Sequence, residues 1–495
     1  MVKIFFMMIK RFFYIFSVLI LTHGLTGCST NPATGKNQFT ALMSPSQELQ
    51  IGAKEHSKII KQYGIYDDKK LGEYMSRVGA KVVKYTERPE VEYKFYLLDS
   101  PMINAFALPG GYIYMTRGLL SLANSEAEMA GVLAHETGHI TARHSAERYS
   151  RGMVTSLGAM VLSAAVGSSG VSQALGIGSD LFMKSYSRGQ EMQADSLGIR
   201  YLVRSGYNPK AMAGFLRNLQ ADSALQDMVD KKKSSKGGGY FATHPATQDR
   251  VNKTISEAQQ YAGQGANNKW IDNRSSYLRM LDGVIYGDSA EQGFARGRNF
   301  YHPNMGFKFS VPENYKIINQ PSQIIAAAKN GAVIIFDIAL NKNALSPMSF
   351  IKDVWMHGEP VTGAENIRVN GMSAATASFN GNINGRPMQV QLVAIKWSDN
   401  KVVRFQVAIP NGLSSAQLND LKRSTYSFSR MSEKEKRDMR PYRIKIIVSK
   451  AGDSVAKLAR RMAQSDHKEQ RFRVLNGLSP SDKIIPNRLY KIVVD

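Results

Sequence analysis

The chain has 495 residues, of which 43% are hydrophobic and 21% are charged. A chain of this size can bury more than one core, which excludes wholesale disorder and predicts about two to four domains. The single cysteine excludes an intrachain disulfide and cysteine-rich zinc sites, so a metal site would have to use histidine and carboxylate ligands. Lys and Arg (64) exceed Asp and Glu (40), which gives a net charge of +24. This surplus favours polyanionic surroundings, namely nucleic acid, an acidic lipid surface or an anionic wall polymer.

The first thirty residues indicate export from the cytoplasm. A basic start precedes an apolar run from Phe12 to Leu21, which is short for a bilayer span and typical of a secretory signal. Leu25-Thr26-Gly27-Cys28 follows and resembles the lipobox of bacterial lipoproteins. That resemblance implies a signal peptide over 1–28, acylation of Cys28 and, with Ser29 next, anchoring from the periplasm to the outer membrane of a Gram-negative bacterium. An ordinary signal peptide, or a short membrane anchor with an incidental cysteine, is the alternative. Export argues against a nucleic-acid partner, and no phosphate loop or nucleic-acid-binding motif follows.

Local patterns predict a mainly helical first half with a small sheet. One helix is expected to start at Ser44-Pro45 and another to span Leu71 to Val83, while strands at Val91 to Leu98 and Tyr112 to Thr116 surround a tight loop. Helices then continue to about residue 262. The uncharged segment 152–179, divided by glycines and serines at 167–170, predicts two helices too short to cross a bilayer. They are expected to pack over the catalytic region as a buried hairpin or to touch a membrane.

The second half changes character twice. From about residue 277 to 429, short alternating runs predict a separate α+β module, in which we find no catalytic constellation. The last unit shows a strand pattern at Tyr442 to Val448, a helical pattern at Ser454 to Met462 and a strand pattern at Leu489 to Val493. We therefore expect an α+β multidomain chain that ends in a small βαβ-type unit.

The strongest chemical signal is His135-Glu136-x-x-His139. Ser125 and Glu128 give a capping-box pattern upstream, and apolar residues continue at helical spacing, so the motif is expected inside a helix. Residues four apart share one face, so His135 and His139 can bind one zinc ion while Glu136 reaches the metal-bound water as general base. The odds of such a motif arising by chance in this chain are on the order of 1%.

A catalytic zinc needs a third protein ligand. His144 is one candidate, but the glycine and third histidine of the metzincin pattern are missing, so a structural or solvent-facing role is favoured. Glu191 is the better candidate, because it lies four residues before Asp195 on an expected helix that ends near Gly206. Glu191 can ligate zinc while Asp195 fixes a ligand imidazole. Without the upstream motif, the two would be interpreted as an exposed acidic pair.

His244 lies beside a Lys-, Ser- and Gly-rich stretch at 230–239 that predicts a mobile loop. A histidine on such a loop can donate to the tetrahedral oxyanion, or it can occupy the fourth zinc position and hold the enzyme inactive. Taken alone, a histidine in this context is more often a surface residue.

Four ordered motifs between residues 30 and 262 resemble those of the gluzincin zinc metallopeptidases, the family that includes the CAAX prenyl proteases and the BepA-like bacterial periplasmic proteases. They are His135-Glu136-x-x-His139, Glu191-x-x-x-Asp195, Asn104-Ala105-Phe106-x-x-Pro109-Gly110-Gly111 and His244-Pro245-x-x-x-x-Arg250. The resemblance implies that His135, His139 and Glu191 bind one Zn²⁺ per chain, with Glu136 as catalytic base and Asp195 as the residue that orients a ligand.

The same resemblance assigns two further groups of residues. His244 and Arg250 match positions that family members use near the transition state or as a regulatory plug. Gly111, Tyr112 and Ile113 would line the cleft and pair with an extended substrate. The chain lacks the transmembrane helices of CAAX proteases and, after residue 262, the 34-residue helical repeats of BepA itself. Prenylated substrates are therefore not implied, and partner recognition by the route of BepA is in doubt.

The last unit is similar to LysM modules, with Asn487 where the module usually has glycine. The similarity lies in Gly452-Asp453-Ser454-Val455, Leu458-Ala459, Leu475-Asn476-Gly477-Leu478 and Ile485-Pro486-Asn487-Arg488-Leu489. Binding of peptidoglycan and a purely structural role are both open. The expected domains are thus a mainly helical zinc peptidase with a small sheet at 29–262, an α+β module at 275–430 and a LysM-like unit at 440–495.

Three functions remain open at this point. The first is a zinc metalloendopeptidase that cleaves extended segments of misfolded or stalled envelope proteins, in quality control or outer-membrane assembly. The second is a latent or non-catalytic chaperone or scaffold that binds outer-membrane proteins, their assembly machinery or peptidoglycan. The third, a peptidoglycan hydrolase, is weaker because the motifs resemble those of peptidases rather than wall amidases.

Overall fold

The computed structural model describes residues 28–166, 185–229, 240–245, 248–264, 269–383, 385–464 and 466–495. The signal peptide expected before Cys28, the second half of the uncharged segment and the loop at 230–239 lie outside these residues. The chain forms two compact units, one made of the residues before Gly287 together with Arg443–Val494, and the other of Gly287–Tyr442. The first is mainly helical and the second rich in sheet, which confirms the α+β class.

The first unit contains most of the helices. They are α1 (Pro45–Tyr63), α2 (Lys69–Val83), α3 (Arg117–Leu122), α4 (Glu126–Thr141), α5 (His144–Val166), α6 (Arg188–Arg204), α7 (Lys210–Val229), α8 (Tyr240–Thr243), α9 (Gln248–Gln264) and α10 (Arg274–Met280). The expected start at Ser44-Pro45 is confirmed: Ser44 Oγ accepts the Gln47 N–H and the Gln47 side chain accepts the Ser44 N–H. Helix α5 covers the first half of the uncharged segment. No helix in the described part of the chain is long and apolar enough to span a bilayer.

A β-hairpin precedes these helices. Strands β1 (Cys28–Thr30) and β2 (Asn37–Phe39) pair antiparallel, with Cys28 opposite Phe39. Asn31 fixes this hairpin to the rest of the unit, because its Nδ2 donates to Gln38 Oε1 at 2.8 Å and to Ala142 O, at the end of α4, at 2.7 Å.

A three-stranded sheet lies beside α4 and has the order β3 (Lys94–Leu98), β5 (Tyr112–Thr116), β4 (Ala105–Leu108). Strand β5 is parallel to β3 and antiparallel to β4. The expected loop between β3 and β5 therefore contains a strand of its own, which the pattern concealed because all four of its residues are buried. The turn into β5 needs glycine: Gly111 has φ +95°, and a Cβ there would lie 2.3 Å from Glu92 O.

Helix α4 crosses α6 at two glycines. A Cβ on Gly138 would lie 2.9 Å from Ala194 O, and a Cβ on Gly198 would lie 3.2 Å from His135 N. Only glycine lets the two backbones approach this closely. This contact brings the carboxylates of α6 to the histidines of α4.

The C-terminal segment of the first unit has the order β18 (Tyr442–Val448), α14 (Val455–Ala459), α15 (Lys468–Leu475), β19 (Leu489–Val494). Strands β18 and β19 pair antiparallel, and β6 (Ile285–Tyr286) lies on the other side of β18. The expected βαβ unit therefore has a second helix that the sequence analysis missed. Lys491 of β19 is fully buried and donates to Ser121 O and Ala123 O, at the end of α3, both at 2.7 Å.

The second unit is built around an antiparallel sheet of seven strands. Its order is β10 (Lys316–Gln320), β11 (Gln323–Ala327), β12 (Val333–Leu340), β16 (Lys401–Pro410), β15 (Arg386–Ser398), β14 (Met372–Ile383), β13 (Thr362–Val369). A smaller sheet has the order β17 (Ser429–Arg430), β9 (Phe307–Ser310), β8 (Asn299–His302), β7 (Phe294–Arg296). Helical segments are α11 (Pro347–Ser349), a π-helix (Phe350–Trp355), α12 (Ser415–Tyr426) and α13 (Glu433–Asp438). Phenylalanines from both sheets, among them Phe300, Phe309, Phe336 and Phe405, form the core of this unit.

Candidate metal centre

Three segments of the first unit bring four potential metal ligands together. Helix α4 carries His135 and His139, α6 carries Glu191, and the residue directly after α8 is His244. One ligand atom of each side chain lies within 4.8 Å of the others, and each residue is at most 1% exposed. The structure therefore joins motifs that are more than fifty residues apart in the sequence.

The spacing of these atoms fits a tetrahedral zinc site. Zinc binds nitrogen and oxygen at about 2.0–2.1 Å, so ligands at the corners of a tetrahedron lie about 3.3 Å apart. His135 Nε2 lies 3.1 Å from His139 Nε2 and 3.3 Å from His244 Nδ1. Glu191 Oε1 lies 3.4 Å from His139 Nε2 and 3.0 Å from His244 Nδ1. Four of the six distances among the three predicted ligands and His244 thus match those of a four-coordinate site, and all four ligand atoms lie within 4.8 Å of one another.

The buried charges also fit a divalent cation. Burial alone would raise the pKa of Glu191, but His244 and Arg250 hold it well below its usual range. Burial likewise opposes the ionised form of Asp195, yet the guanidinium of Arg250 lowers its pKa. With Glu136 beside them, three carboxyl groups face one guanidinium among the described residues of this site. A divalent cation neutralises the remaining negative charge.

Glu136 points into the same pocket without a hydrogen-bond partner. Both of its carboxyl oxygens are buried and unpaired within the described part of the chain, and Oε1 lies 3.6 Å from His244 Nε2. A buried polar group without a partner costs on the order of 1–3 kcal/mol, so its presence indicates a use beyond packing. Burial also raises the pKa of Glu136 above its usual range. A raised pKa suits a carboxyl group that takes up and returns a proton near neutral pH.

Polar contacts at Nδ1 orient the rings of both histidines on α4. His135 Nδ1 lies 2.9 Å from Asp195 Oδ1, as the sequence predicts. His139 Nδ1 lies 2.9 Å from His144 Nδ1, and His144 Nε2 lies 2.7 Å from Gln193 Oε1. We assign the protons along this chain: His139 donates to His144, which donates to Gln193, and His139 Nε2 keeps its lone pair for a metal.

His144 is therefore a buried residue that orients a ligand, and sequence reasoning missed this contact. The main-chain reversal at Arg143, where φ is +52°, turns the chain so that His144 lies beside His139. A third histidine within five residues of the motif was the available signal.

Arg250 lies behind the ligands and not among the reacting groups. Its Nε and Nη2 bond to the two oxygens of Asp195 at 2.5 and 2.9 Å, and its Nη1 lies 2.6 Å from Glu191 Oε2. The side chain is 1% exposed. The expectation that Arg250 acts at the transition state is therefore corrected to a positioning role, in which one guanidinium fixes two carboxylates.

The segment with His244 is held in place by several contacts. His244 Nε2 lies 3.2 Å from Ala105 O on β4, and its ring stacks on Tyr240 with centroids 4.4 Å apart. The Tyr186 N–H donates to Thr243 O at 3.2 Å, and the Tyr186 ring stacks on His139 with centroids 3.8 Å apart. His244 is thus a buried member of the site and not a surface residue.

The residues expected to pair with substrate lie elsewhere in the sheet. Tyr112 and Ile113 belong to the central strand β5, whose two sides are already occupied by β3 and β4, and Gly111 is in the turn before it. A substrate strand needs a free edge. The described sheet has two edge strands, β3 and β4, and Gly111, Tyr112 and Ile113 lie on neither of them; β4 is the edge that contacts His244, through Ala105 O.

Known proteins are similar in sequence to the part of the chain that holds this site. Residues 69–258 match the family described as peptidase family M48. The chain is 30% identical over 240 residues to the beta-barrel assembly-enhancing protease of Escherichia coli strain K12, which covers 47% of each protein. It is 30% identical over 230 residues to the protein of the same name from Yersinia pestis, with 44% of this chain and 46% of that protein covered. It is 26% identical over 262 residues to the mitochondrial metalloendopeptidase OMA1 of Schizosaccharomyces pombe, with 50% and 74% covered.

The matched range contains the whole candidate centre. It includes the histidines and Glu136 of α4, the carboxylates of α6, and His244 with Arg250. The chain spans about half the length of the bacterial relatives that it matches. Residues 69–258 are therefore similar to peptidase family M48, in agreement with the gluzincin resemblance of the motifs.

Proposed function

We propose that the protein is a zinc-dependent metalloendopeptidase of the bacterial cell envelope that hydrolyses extended segments of misfolded or stalled envelope proteins. The observation that carries this proposal is the tetrahedral spacing of His135, His139, Glu191 and His244 around a pocket that also holds the unpaired carboxyl group of Glu136. The residues suit zinc, because two imidazoles and one carboxylate are the ligands of many zinc hydrolases.

The chain's own residues supply proton transfer and substrate alignment. Bound zinc would polarise the scissile carbonyl and acidify a water molecule. Glu136 accepts the proton of the attacking water and returns it to the leaving nitrogen, a task that its buried, unpaired carboxyl group favours. The substrate backbone pairs with the edge of β4 at Ala105–Leu108, which lies next to His244.

The position of His244 supports a latent resting form. Its Nδ1 stands at the fourth corner of the ligand set, and its Nε2 contacts Ala105 O on the edge that a substrate would use. Peptide hydrolysis needs this corner open. Withdrawal of the segment 240–245 would free both the corner and the strand edge.

The lipobox-like stretch that ends at Cys28 and the names of the bacterial relatives support a cellular setting. We propose acylation of Cys28 and anchoring to the outer membrane from the periplasm, with a role in outer-membrane protein assembly. We also propose that residues 440–495 form a LysM-like module that contacts peptidoglycan. Its β-α-α-β order and the net charge of +24 support this part.

The alternative is a chaperone or scaffold whose cleavage is suppressed. The fourth ligand, His244, favours this alternative. Together with His135, His139 and Glu191 it would occupy all four positions of a tetrahedral zinc, which leaves none for water or substrate. Such a protein would bind outer-membrane proteins without hydrolysing them.

Metal analysis combined with casein cleavage tests the proposal. We expect one zinc per wild-type chain and slow cleavage that increases in His244→Ala. Glu191→Ala should lose both metal and cleavage, while Glu136→Gln should keep the metal and lose cleavage. Full complementation of envelope function by Glu136→Gln would favour the chaperone. Digestion of purified sacculi by the wild type would favour a wall hydrolase.

A further inference from the structure

A polar cavity of about 800 Å³ lies on the first unit near the metal centre. Its walls come from β2, from the first part of α5 and from the residues that begin α6. Its charged lining residues are Lys36, Arg148, Arg151 and Glu147. Three cationic groups face one carboxylate, so the cavity favours an anionic ligand.

This charge is not a by-product of the basic chain. A cavity of about 830 Å³ between α2 and β3 has a similar size and the opposite charge balance. Its charged lining residues are Asp67, Asp68, Glu73, Lys69 and Arg77. The two cavities therefore distinguish an anion site from the general surplus of positive charge.

The basic cavity adjoins the start of the described chain. Cys28 is opposite Phe39 in the hairpin, and Gln38, the neighbour of Phe39, lines the cavity. Strands are about 4.8 Å apart and rise about 3.3 Å per residue, so the backbone at Cys28 lies within about 10 Å of the cavity wall. Only Ser29 and Thr30 separate Cys28 from the buried, hydrogen-bonded Asn31. A lipid on Cys28 would therefore hold this face close to the bilayer.

The rim of the cavity suits a membrane surface. Lys36 and Thr155 are exposed, the Arg151 side chain is 69% exposed, and Val154 is 50% exposed. Helix α5 carries no charged residue from Gly152 to its end at Val166. Basic side chains beside an exposed apolar one, here Val154, are a combination that suits the headgroup region of anionic membranes.

We propose that this face of the first unit rests on the membrane and that the cavity binds the phosphate of an anionic lipid headgroup. The orientation rests on the lipid anchor of the proposed function. The headgroup site does not need catalysis, so the two can fail separately. Substrates would then be cleaved at the membrane surface, where segments of unassembled membrane proteins emerge.

Vesicle binding of the polypeptide 28–495 without its lipid tests the headgroup site. Vesicles of phosphatidylethanolamine with phosphatidylglycerol are the probe, and vesicles without phosphatidylglycerol are the reference. We expect Lys36→Gln/Arg151→Gln to weaken binding about 10- to 30-fold, because each basic group near an anionic surface contributes about fivefold or slightly less. Lys69→Gln/Arg77→Gln removes the same charge from the other cavity and should change binding less than about threefold.

The contrary outcomes are distinct. Equal weakening by both pairs would show that net charge alone drives binding and would overturn the proposal. Full competition by inorganic phosphate, with no preference for phosphatidylglycerol, would assign the cavity to free phosphate and overturn the headgroup. If Lys36→Gln/Arg151→Gln lost the cleavage of acidic peptides but kept its affinity for vesicles, the cavity would be a substrate subsite. That result would also contradict the headgroup proposal. If the protein showed no proteolysis at all, only the proposed peptidase function would be contradicted, and the headgroup site would be unaffected.

The lipidated full chain tests the orientation. Cys28 is the only cysteine, so acylation leaves an introduced thiol as the single site for a fluorophore. We expect a headgroup-linked quencher to act strongly on Thr155→Cys, at the cavity rim, and weakly on Ala80→Cys, which lines a groove between α2 and β3. Equal quenching at both positions would contradict a fixed membrane-facing surface.

Discussion

The two halves of α4 both carry carboxyl groups in the interior, but these groups differ in their hydrogen-bond partners. In the first turn, Glu126 accepts hydrogen bonds from Tyr74 and Tyr207 hydroxyls at 2.5 and 2.7 Å and from Asn273 Nδ2 at 3.2 Å. Glu128 accepts the Asn124 N–H at 2.7 Å. The chain itself satisfies these carboxyl groups.

Two turns later the same helix carries a carboxyl group whose hydrogen-bonding capacity is unused. Within the described residues neither oxygen of Glu136 has a hydrogen-bond partner, and the Nε2 atoms of His135 and His139 lie 3.1 Å apart in a pocket of potential metal ligands. Burial of such groups is unfavourable unless something neutralises and bridges them. A saturated cluster fixes the helix in the fold, whereas an unsaturated one is arranged for a ligand that the polypeptide does not supply.

The largest expected effect is on kcat, and it is tested by the same Glu→Gln substitution at each end of α4. Glu136→Gln should lower kcat by about 10²- to 10⁴-fold, because a general base contributes that much, with zinc content unchanged. Glu128→Gln makes the same chemical change two turns earlier and should leave kcat within about twofold. Each substitution is combined with His244→Ala, and kcat is measured from the steady-state cleavage of a fluorogenic peptide by the two double variants. Similar losses in both variants would remove the distinction.

Metal removal is expected to destabilise the first unit. A ligand present at about 1,000 times its Kd stabilises the folded state by about 4 kcal/mol, so chelation should remove that amount from the free energy of unfolding. Calorimetry with and without chelator measures the change. Glu191→Ala is the control and should be insensitive to chelator. A wild type with an unchanged Tm would argue against a bound metal.

The saturated end should respond to pH instead. Burial raises the pKa of Glu128 from 4.5 to about 7. The folded chain holds this proton more tightly than the unfolded chain, so the stabilising contribution is complete below about pH 4.5 and is lost as the pH rises through about 7. Glu128→Gln lacks this dependence and should gain about 3 kcal/mol relative to wild type between about pH 4.5 and pH 8. Urea unfolding across this range measures the difference, and a constant difference would contradict the assignment.

The smallest effect concerns the orientation of His139. His144→Leu removes the acceptor for His139 Nδ1 and should weaken zinc binding about 10- to 100-fold. His144→Asn places an amide oxygen near the position of Nδ1 and should restore most of the affinity. Competition with a zinc indicator dye measures both variants. Equal affinities for Leu and Asn would mean that His144 only fills space.

The sequence predicted what depends on local spacing. His135 and His139 share a helix face four residues apart, and so do Glu191 and Asp195, which is why both pairs were found. Strand β4 was missed because its four residues are uniformly buried and show no alternation. The contact of His144 with His139 depends on the backbone reversal at Arg143 rather than on a pattern of side chains.

Long-range contacts could not be predicted in this way. The expected capping box at Ser125 is half present: Ser125 Oγ accepts the Glu128 N–H, but the Glu128 carboxyl group binds Asn124 N. No local pattern in the C-terminal unit shows that Lys491 reaches the end of α3, because the preference of a lysine for water is overcome only by carbonyl groups hundreds of residues away.

The placement of Lys491 has a consequence for biogenesis. Its ammonium group and the carbonyl of Ser121 are separated by 370 residues, including the whole second unit. At about 5–20 residues per second, a ribosome needs roughly 20 to 70 s to make that stretch. A half-made polypeptide therefore lacks this closing contact next to the helix that bears the hydrolytic motif. The contact between strand β19 and the end of α3 can therefore form only after the whole second unit has been made.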